Sequence, residues 1–281
     1  MIHIIGATGT VGTAFCAAVV DKTDFRLALR NPRTAAAGFR SILFDLEIPS
    51  TYAAALVGIT SIFLLVPPQL ADRQKHIEDL LQAAKRAGVA HIVFLSMRNA
   101  DRLPFLPHQQ VERAIEASGI GWTHLRPNDF MQNFATVPAY RDAIRDEGEL
   151  WSSAGHAMTS YVDVRDVGAI VVKVLVEAGH GGKAYTLTGP ASLGLIDVAA
   201  VLSRELARDI RYVQPSLLSF FSHARGAGAS WPLAAVMTGI GLVARSGLAR
   251  SVDATLPMLL GRAPRTSAQF AHDYAAAWVR G

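Results

Sequence analysis

The first twelve residues constrain this chain more than any other stretch. Ile2 to Ile5 is an apolar run long enough for one buried parallel strand, and Gly6, Gly9 and Gly12 follow it at G-x-x-G-x-x-G spacing. Val11 to Val20 then reads as a helix opening straight out of the glycines. A glycine at a strand end permits a tight turn, the next lets the backbone approach a pyrophosphate, and the third lets the helix pack close to the strand. The helix start adds free N–H groups and the positive end of its dipole, both suited to phosphate. Strand, glycine-rich turn and helix in this order predict a dinucleotide-binding unit.

Strand and helix keep alternating beyond it. Strands are expected at Phe25–Leu29, Ser41–Phe44, Ser61–Val66, His91–Leu95 and Trp122–Leu125. Helices are expected at Thr51–Val57, Gln69–Ala87 (stopped by Gly88) and His108–Ala117 (closed by Gly119). This pattern predicts an α/β, doubly wound parallel sheet of the Rossmann type, with its ligand above the carboxyl ends of the strands. The end of the second strand lies beside the adenosine ribose in such a fold, where a carboxylate suits NAD and an arginine suits a 2′-phosphate. Residues 25–37 contain no Asp or Glu, and Arg30 and Arg33 close the strand, so the sequence favours NADP(H). Asp45, ending the third strand, is placed to meet the adenine edge, and the strand ending at Val66 and Pro67 should approach the nicotinamide half.

Composition narrows the class further. Of 281 residues, 51% are hydrophobic and 18% charged, which describes a compact globular chain. The formal charge of +4 is scattered with no Lys/Arg block, so no nucleic-acid partner is expected. Trp231 to Ala244 is too short and glycine-interrupted to span a bilayer, and no secretory signal precedes the first strand, so a cytoplasmic protein with no membrane partner is expected. The single cysteine, Cys16, reads as a buried small hydrophobe inside the first helix. The nine histidines show no metal spacing and no metal site is expected. No serine occupies a Gly-x-Ser-x-Gly elbow. Asp163 and Asp166 read as residues that cap and charge the first turn of a helix over Val164–Val176.

The second half is looser. A helix is expected over Phe130–Arg145, then short strands at Leu150–Ser153 and Ala157–Val162 that return the chain to the sheet, a strand at Tyr185–Thr188 and a helix at Ile196–Leu206. Leu217, Leu218, Phe220, Phe221, Trp231, Met237 and Leu242 suggest a smaller, mostly helical, apolar lobe, and the composition of Gly226-Ala227-Gly228 suggests a flexible gate before Trp231. The division expected is 1–152 for the dinucleotide-binding part and 153–281 for the remaining strands and the substrate lobe.

GATGTVG (6–12), LRNP (29–32), LLVPP (64–68), HIVFLS (91–96), HQQVERAIEASGIGWTHLRPNDFMQN (108–133), YVDVRDV (161–167), YTLTGP (185–190) and LGRAPRTSAQF (260–270) together resemble the NmrA-like branch of the atypical short-chain dehydrogenases/reductases, nearest the quinone oxidoreductase and triphenylmethane reductase subgroup. The resemblance implies that Gly6, Thr8, Gly9, Thr10, Val11 and Gly12 cradle the pyrophosphate, that Arg30 binds the 2′-phosphate, and that Asp45 and Leu46 lie by the adenine. It places Val66, Pro67 and Ser96 by the nicotinamide ribose, with Pro127, Asn128 and Phe130 closing over the nicotinamide. The activity it implies is hydride transfer from NADPH to a small, apolar, conjugated acceptor such as a quinone, enone or iminium. The alternative, a non-enzymatic NADP(H)-sensing regulator acting on a partner protein, also occurs in this family, and monomer and homodimer both stay open.

One departure bears on the chemistry. No Tyr-x-x-x-Lys pair exists, since Tyr161 is followed four residues later by Arg165. His108 takes the slot where related phenylpropanoid reductases carry a lysine, which makes it the candidate proton donor; a helix-capping role is the alternative. Glu112, one turn further on, is expected to face solvent rather than to orient that imidazole.

Overall fold

The computed structural model describes residues 1–66, 74–103 and 106–279. Its elements run β1 (Ile2–Ile5), α1 (Thr10–Ala18), β2 (Phe25–Leu29), β3 (Arg40–Leu43), α2 (Tyr52–Leu56), β4 (Ser61–Leu64), α3 (Gln74–Arg86), β5 (His91–Leu95), α4 (Pro107–Ala117) and β6 (Gly121–Pro127). There follow α5 (Asn133–Thr136), α6 (Pro138–Asp142), β7 (Glu149–Trp151), β8 (Met158–Thr159), α7 (Val164–Val176), β9 (Lys183–Leu187), β10 (Leu193–Gly194), α8 (Leu195–Glu205), β11 (Arg211–Val213), α9 (Leu217–Gly226) and α10 (Trp231–Arg245), with α11 (Thr255–Leu260) and α12 (Ser267–Asp273) last. Seven strands form one parallel sheet in the order β3-β2-β1-β4-β5-β6-β9. That is the doubly wound α/β order, reversing beside β1, where such sheets take their ligand. None of the described helices is long and apolar enough to cross a membrane.

The chain divides into two compact units, residues 1–127 with 164–187 and residues 128–163 with 188–281. It passes from one to the other after Pro127, Asp163 and Leu187, where one boundary at 152 was expected. In the first unit β1 and β4 are buried almost throughout, as expected of central parallel strands covered on both faces. One face is closed by Ile77, Leu80, Leu81 and Ala84 of α3, spaced for a single helical stripe. Gly88 ends that stretch at φ +78°, while the amide of Val89 returns to the Ala84 carbonyl at 3.0 Å. On the other face α7 lies against α1, and Gly168 makes this approach possible, since a Cβ there would sit 2.8 Å from the backbone of Ala14 and Phe15. Cys16 is buried in α1, as expected.

The second unit holds the corrections. Phe130–Arg145 is not one helix: Val137 is extended (φ −81°, ψ 118°) ahead of Pro138, so the segment breaks into α5, α6 and a π-helical turn over Ala143–Glu147. The two short strands do not return to the sheet. β7 pairs parallel with β11, and β8 antiparallel with β10, as separate ribbons. The main core here joins Met131, Phe134, Leu150, Tyr161, Leu202 and Phe270, with the Trp278 indole donating to the Phe134 carbonyl at 3.1 Å. In α9 and α10, Phe220 and Met237 are buried, whereas Leu218, Trp231 and Leu242 are exposed. Gly228, in the joint between them, takes φ +88°.

Candidate functional site

The turn after β1 is built without side chains. Gly6 has φ +92°, and its carbonyl accepts from the Gly9 amide at 3.2 Å. A Cβ on Gly12 would lie 2.2 Å from the Gly6 oxygen and 2.5 Å from Ala7 Cα, so this glycine is demanded by the protein's own backbone. Gly9 differs, because a Cβ there would meet nothing closer than 3.6 Å. Its bare backbone answers to no internal neighbour and faces solvent with Thr8 and Thr10, while Val11 and Gly12 are buried. Gly9 is the N-cap of α1 with no side chain capping the helix and no acidic residue in its first turn. Unbonded N–H groups and an uncompensated dipole end therefore point outward here, the donor set a diphosphate needs.

Arg30 stands exposed at the end of β2, and Arg33 is exposed in the short 3₁₀ turn that follows, where the Asn31 side chain accepts from the Arg33 amide at 3.1 Å. After β3, Asp45 is half-buried and accepts from the Glu47 amide at 2.9 Å. Leu46 turns its side chain into the core, and its carbonyl accepts from the Tyr52 hydroxyl, so only backbone atoms of Leu46 could meet a ligand. Val66 is likewise buried in that core, and Pro67 lies outside the described residues. At the end of β5 the Ser96 amide donates to Leu125 at 2.8 Å, but its buried hydroxyl has no partner among the described residues. Buried polar groups are rarely left so, and this one sits at the carboxyl edge of the sheet.

Pro127 ends β6 and its carbonyl accepts from the Arg98 amide at 2.9 Å. Asn128 and Phe130 belong to the second unit. The Asn128 amide nitrogen is within reach of Ser160 Oγ and the Ala249 carbonyl, both at 2.8 Å, so it is used inside that unit. Phe130 is half-buried and bridges to Val162.

His108 is the second residue of α4, after Pro107, and its ring stacks on Phe94 with centroids 6.2 Å apart. Burial pushes its pKa below the usual histidine value, and the Glu112 carboxylate pushes it back up. Glu112 does not face solvent: it is 2% exposed, and its two oxygens accept from Arg126 Nε at 2.9 Å and Nη2 at 2.7 Å. Arg126 also reaches Asp101 through Nη1 at 3.1 Å. Arg126 and Asp101 escaped the sequence reading because strand pairing, not local spacing, brings them to α4.

Glu112 and Glu116 of α4 and His124 of β6 also bring ligand-type atoms within 4.8 Å of one another, a grouping that histidine spacing does not reveal. Both Glu112 oxygens are taken by Arg126 and His124 Nε2 lies 3.1 Å from Glu116, so these ligand-type atoms are already engaged with Arg126 and with one another.

Comparison with known proteins bears on the fold and the family. The model of the NmrA-like family matches residues 1–233. An NAD(P)H azoreductase from Xenophilus azovorans is 34% identical over 289 residues, covering 99% of each chain. Quinone oxidoreductase 2 from Escherichia coli is 28% identical over 280 residues, covering 96% of each. Its crystal structure with NADPH superposes at TM-score 0.87 over 97% of this chain and 99% of that one, at 27% identity. The Citrobacter triphenylmethane reductase complexed with NADP(H) shares the fold at TM-score 0.86 and 22% identity, over 98% of this chain and 99% of that one.

Proposed function

The chain belongs to the NmrA-like family and is an NAD(P)H-dependent oxidoreductase, and from that premise we propose that it transfers hydride from NADPH to a small, apolar, conjugated acceptor of the quinone, enone or iminium type. The observation that carries this reading is the turn from Gly6 to Gly12, whose outward amides and side-chain-free Gly9 suit a diphosphate. When bound, the dinucleotide supplies the hydride.

The rest is orientation and proton handling by the chain's own residues. Gly6, Thr8, Gly9, Thr10, Val11 and Gly12 cradle the pyrophosphate, with the amides at the start of α1 donating and Gly9 offering a backbone bare of side chain. Arg30, exposed and with no carboxylate near it in sequence, takes the 2′-phosphate. Asp45 and the Leu46 backbone meet the adenine, and Val66 and Ser96 flank the nicotinamide ribose, the Ser96 hydroxyl gaining the partner it lacks. To Pro127, at the end of β6, we assign contact with the nicotinamide.

His108 presents an imidazole to the acceptor oxygen. Because burial favours its uncharged form, it acts near neutral pH by donating an N–H hydrogen bond rather than as a strong acid. That weak help is enough for quinone and iminium acceptors, which take a hydride readily. Azo and quinone reduction by the relatives named above support the same acceptor class.

The test couples binding to turnover. NADPH and NADH are titrated by the fluorescence of the four tryptophans, and NADPH oxidation is then followed with quinones, enones, cyclic imines and azo dyes. Turnover of at least one acceptor is expected. Tight binding with no turnover on any of them would overturn the reductase reading in favour of a sensor. Arg30→Ala is expected to weaken NADPH binding by about 1.5–3 kcal/mol, the worth of a charge-assisted contact, and to leave NADH unchanged. Equal losses for both dinucleotides would remove Arg30 from the phosphate.

A further inference from the structure

A carboxylate with 2% exposure on a helix needs a reason. Glu112 lies one helical turn after His108, on the same face of α4, and both its oxygens are held by the Arg126 fork from β6. The third nitrogen of that guanidinium binds Asp101 in the turn following β5. Gln109, adjacent to His108, ties the first turn of α4 to the same place, its side-chain amide donating to the Asp101 carbonyl at 3.1 Å. Two separate links from α4 thus converge on Asp101, and the Phe94 ring stacks on the imidazole.

Stability alone does not account for this investment. A buried ion pair is generally no more stabilising than well-packed apolar residues of the same volume, because both charges lose their hydration. What apolar residues cannot supply is a fixed charge and a fixed register beside a titratable ring. We propose that Glu112, clamped by Arg126 and Asp101, is the positioning residue for His108: it fixes the imidazole at the carboxyl edge of the sheet and faces it with a carboxylate held in one place.

This rests on the assignment of His108 made above. The elements packed against α4 also carry Lys75, His76, Glu78, Asp79, Lys85 and Arg86 on α3, Asp101 and Arg102 in the turn after β5, and His124 and Arg126 on β6, with Arg98 just ahead of that turn. Of these, Arg126 and Asp101 are paired within the clamp and His124 is paired to Glu116. Glu112 is the group whose charge favours protonation of His108 against its burial.

The experiment is an NMR titration of the His108 imidazole in the full-length protein without cofactor, for the wild type and Glu112→Gln, with NADPH affinity and turnover measured alongside. The His108 midpoint should fall by about half a pH unit or more in Glu112→Gln. Turnover of an enone should drop about tenfold or more, with NADPH affinity changed less than about twofold. Should Glu112→Gln leave Arg126 uncompensated and the protein unfolded, the double variant Glu112→Met with Arg126→Met removes both charges and is expected to show a smaller fall in midpoint in the same direction, because the repelling Arg126 charge is lost with the attracting one. An unchanged His108 titration in a folded variant would overturn the proposal. A shifted titration combined with normal turnover by His108→Ala would instead keep the clamp and remove His108 from the reaction.

Discussion

Gly12→Ala is expected to destabilise the protein by about 3 kcal/mol or more and to abolish measurable NADPH binding. The added methyl would sit 2.2 Å from the Gly6 carbonyl oxygen and 2.5 Å from Ala7 Cα. Neither is the end of a flexible side chain, so no rotamer change relieves the clash. Relief requires α1 to move away from β1, which opens the turn that carries the outward amides. Gly9→Ala is the informative control, because its methyl has space and Gly9 has an ordinary negative φ of −80°. That variant should lose only about 1 kcal/mol or less from replacing a glycine N-cap by alanine, while still losing affinity if a diphosphate approaches the bare backbone. Urea denaturation and NADPH titration of both variants separate the two effects. Wild-type stability in Gly12→Ala would refute the packing argument, and unaltered NADPH affinity in Gly9→Ala would move the pyrophosphate away from this turn.

Acid is expected to destabilise the fold through His3. Its ring lies fully buried in β1, edge-on to Phe44, and neither nitrogen has a partner among the described residues. Burial first, and the positive charge of Arg26 second, push its pKa down to about 3. The unfolded chain takes up this proton as the pH falls through about 6.5, whereas the folded chain resists until about 3. The contribution is therefore intact above about pH 6.5 and lost below it at about 1.4 kcal/mol per pH unit, or about 2 kcal/mol by pH 5. Comparing urea denaturation at pH 7.5 and pH 5 in wild type and His3→Leu isolates this share from that of the carboxylates. The leucine variant should be less sensitive by that amount; equal sensitivity would mean that His3 is hydrated in the folded state.

Much of the fold was legible because its signals are local. The apolar run of β1, the glycine spacing after it and the stripe of Ile77, Leu80, Leu81 and Ala84 each express one element's own periodicity or turn chemistry. The break at Pro138 was missed in expecting one helix over Phe130–Arg145, although a residue before proline resists the helical conformation, because an apolar pattern runs through it. The ribbons β7–β11 and β8–β10 were not legible, because a short strand carries no mark of its partner. Asp45 and Arg30 were placed at strand ends from the alternation of elements, but nothing local foretold that Leu46 turns inward while Arg30 stays exposed.

The sequence by itself determined a doubly wound α/β fold, the family, and a glycine turn bare of side chains after the first strand, because each depends on residue type at fixed short spacing. Tertiary structure alone decided which charges are buried. Glu112 reads as a surface residue of an amphipathic helix until β6 brings Arg126 beneath it, and His3 sits in an apolar run whose packing leaves neither ring nitrogen a partner among the described residues. Burial of a charge is set by what other elements place around it, and no spacing within one element encodes that.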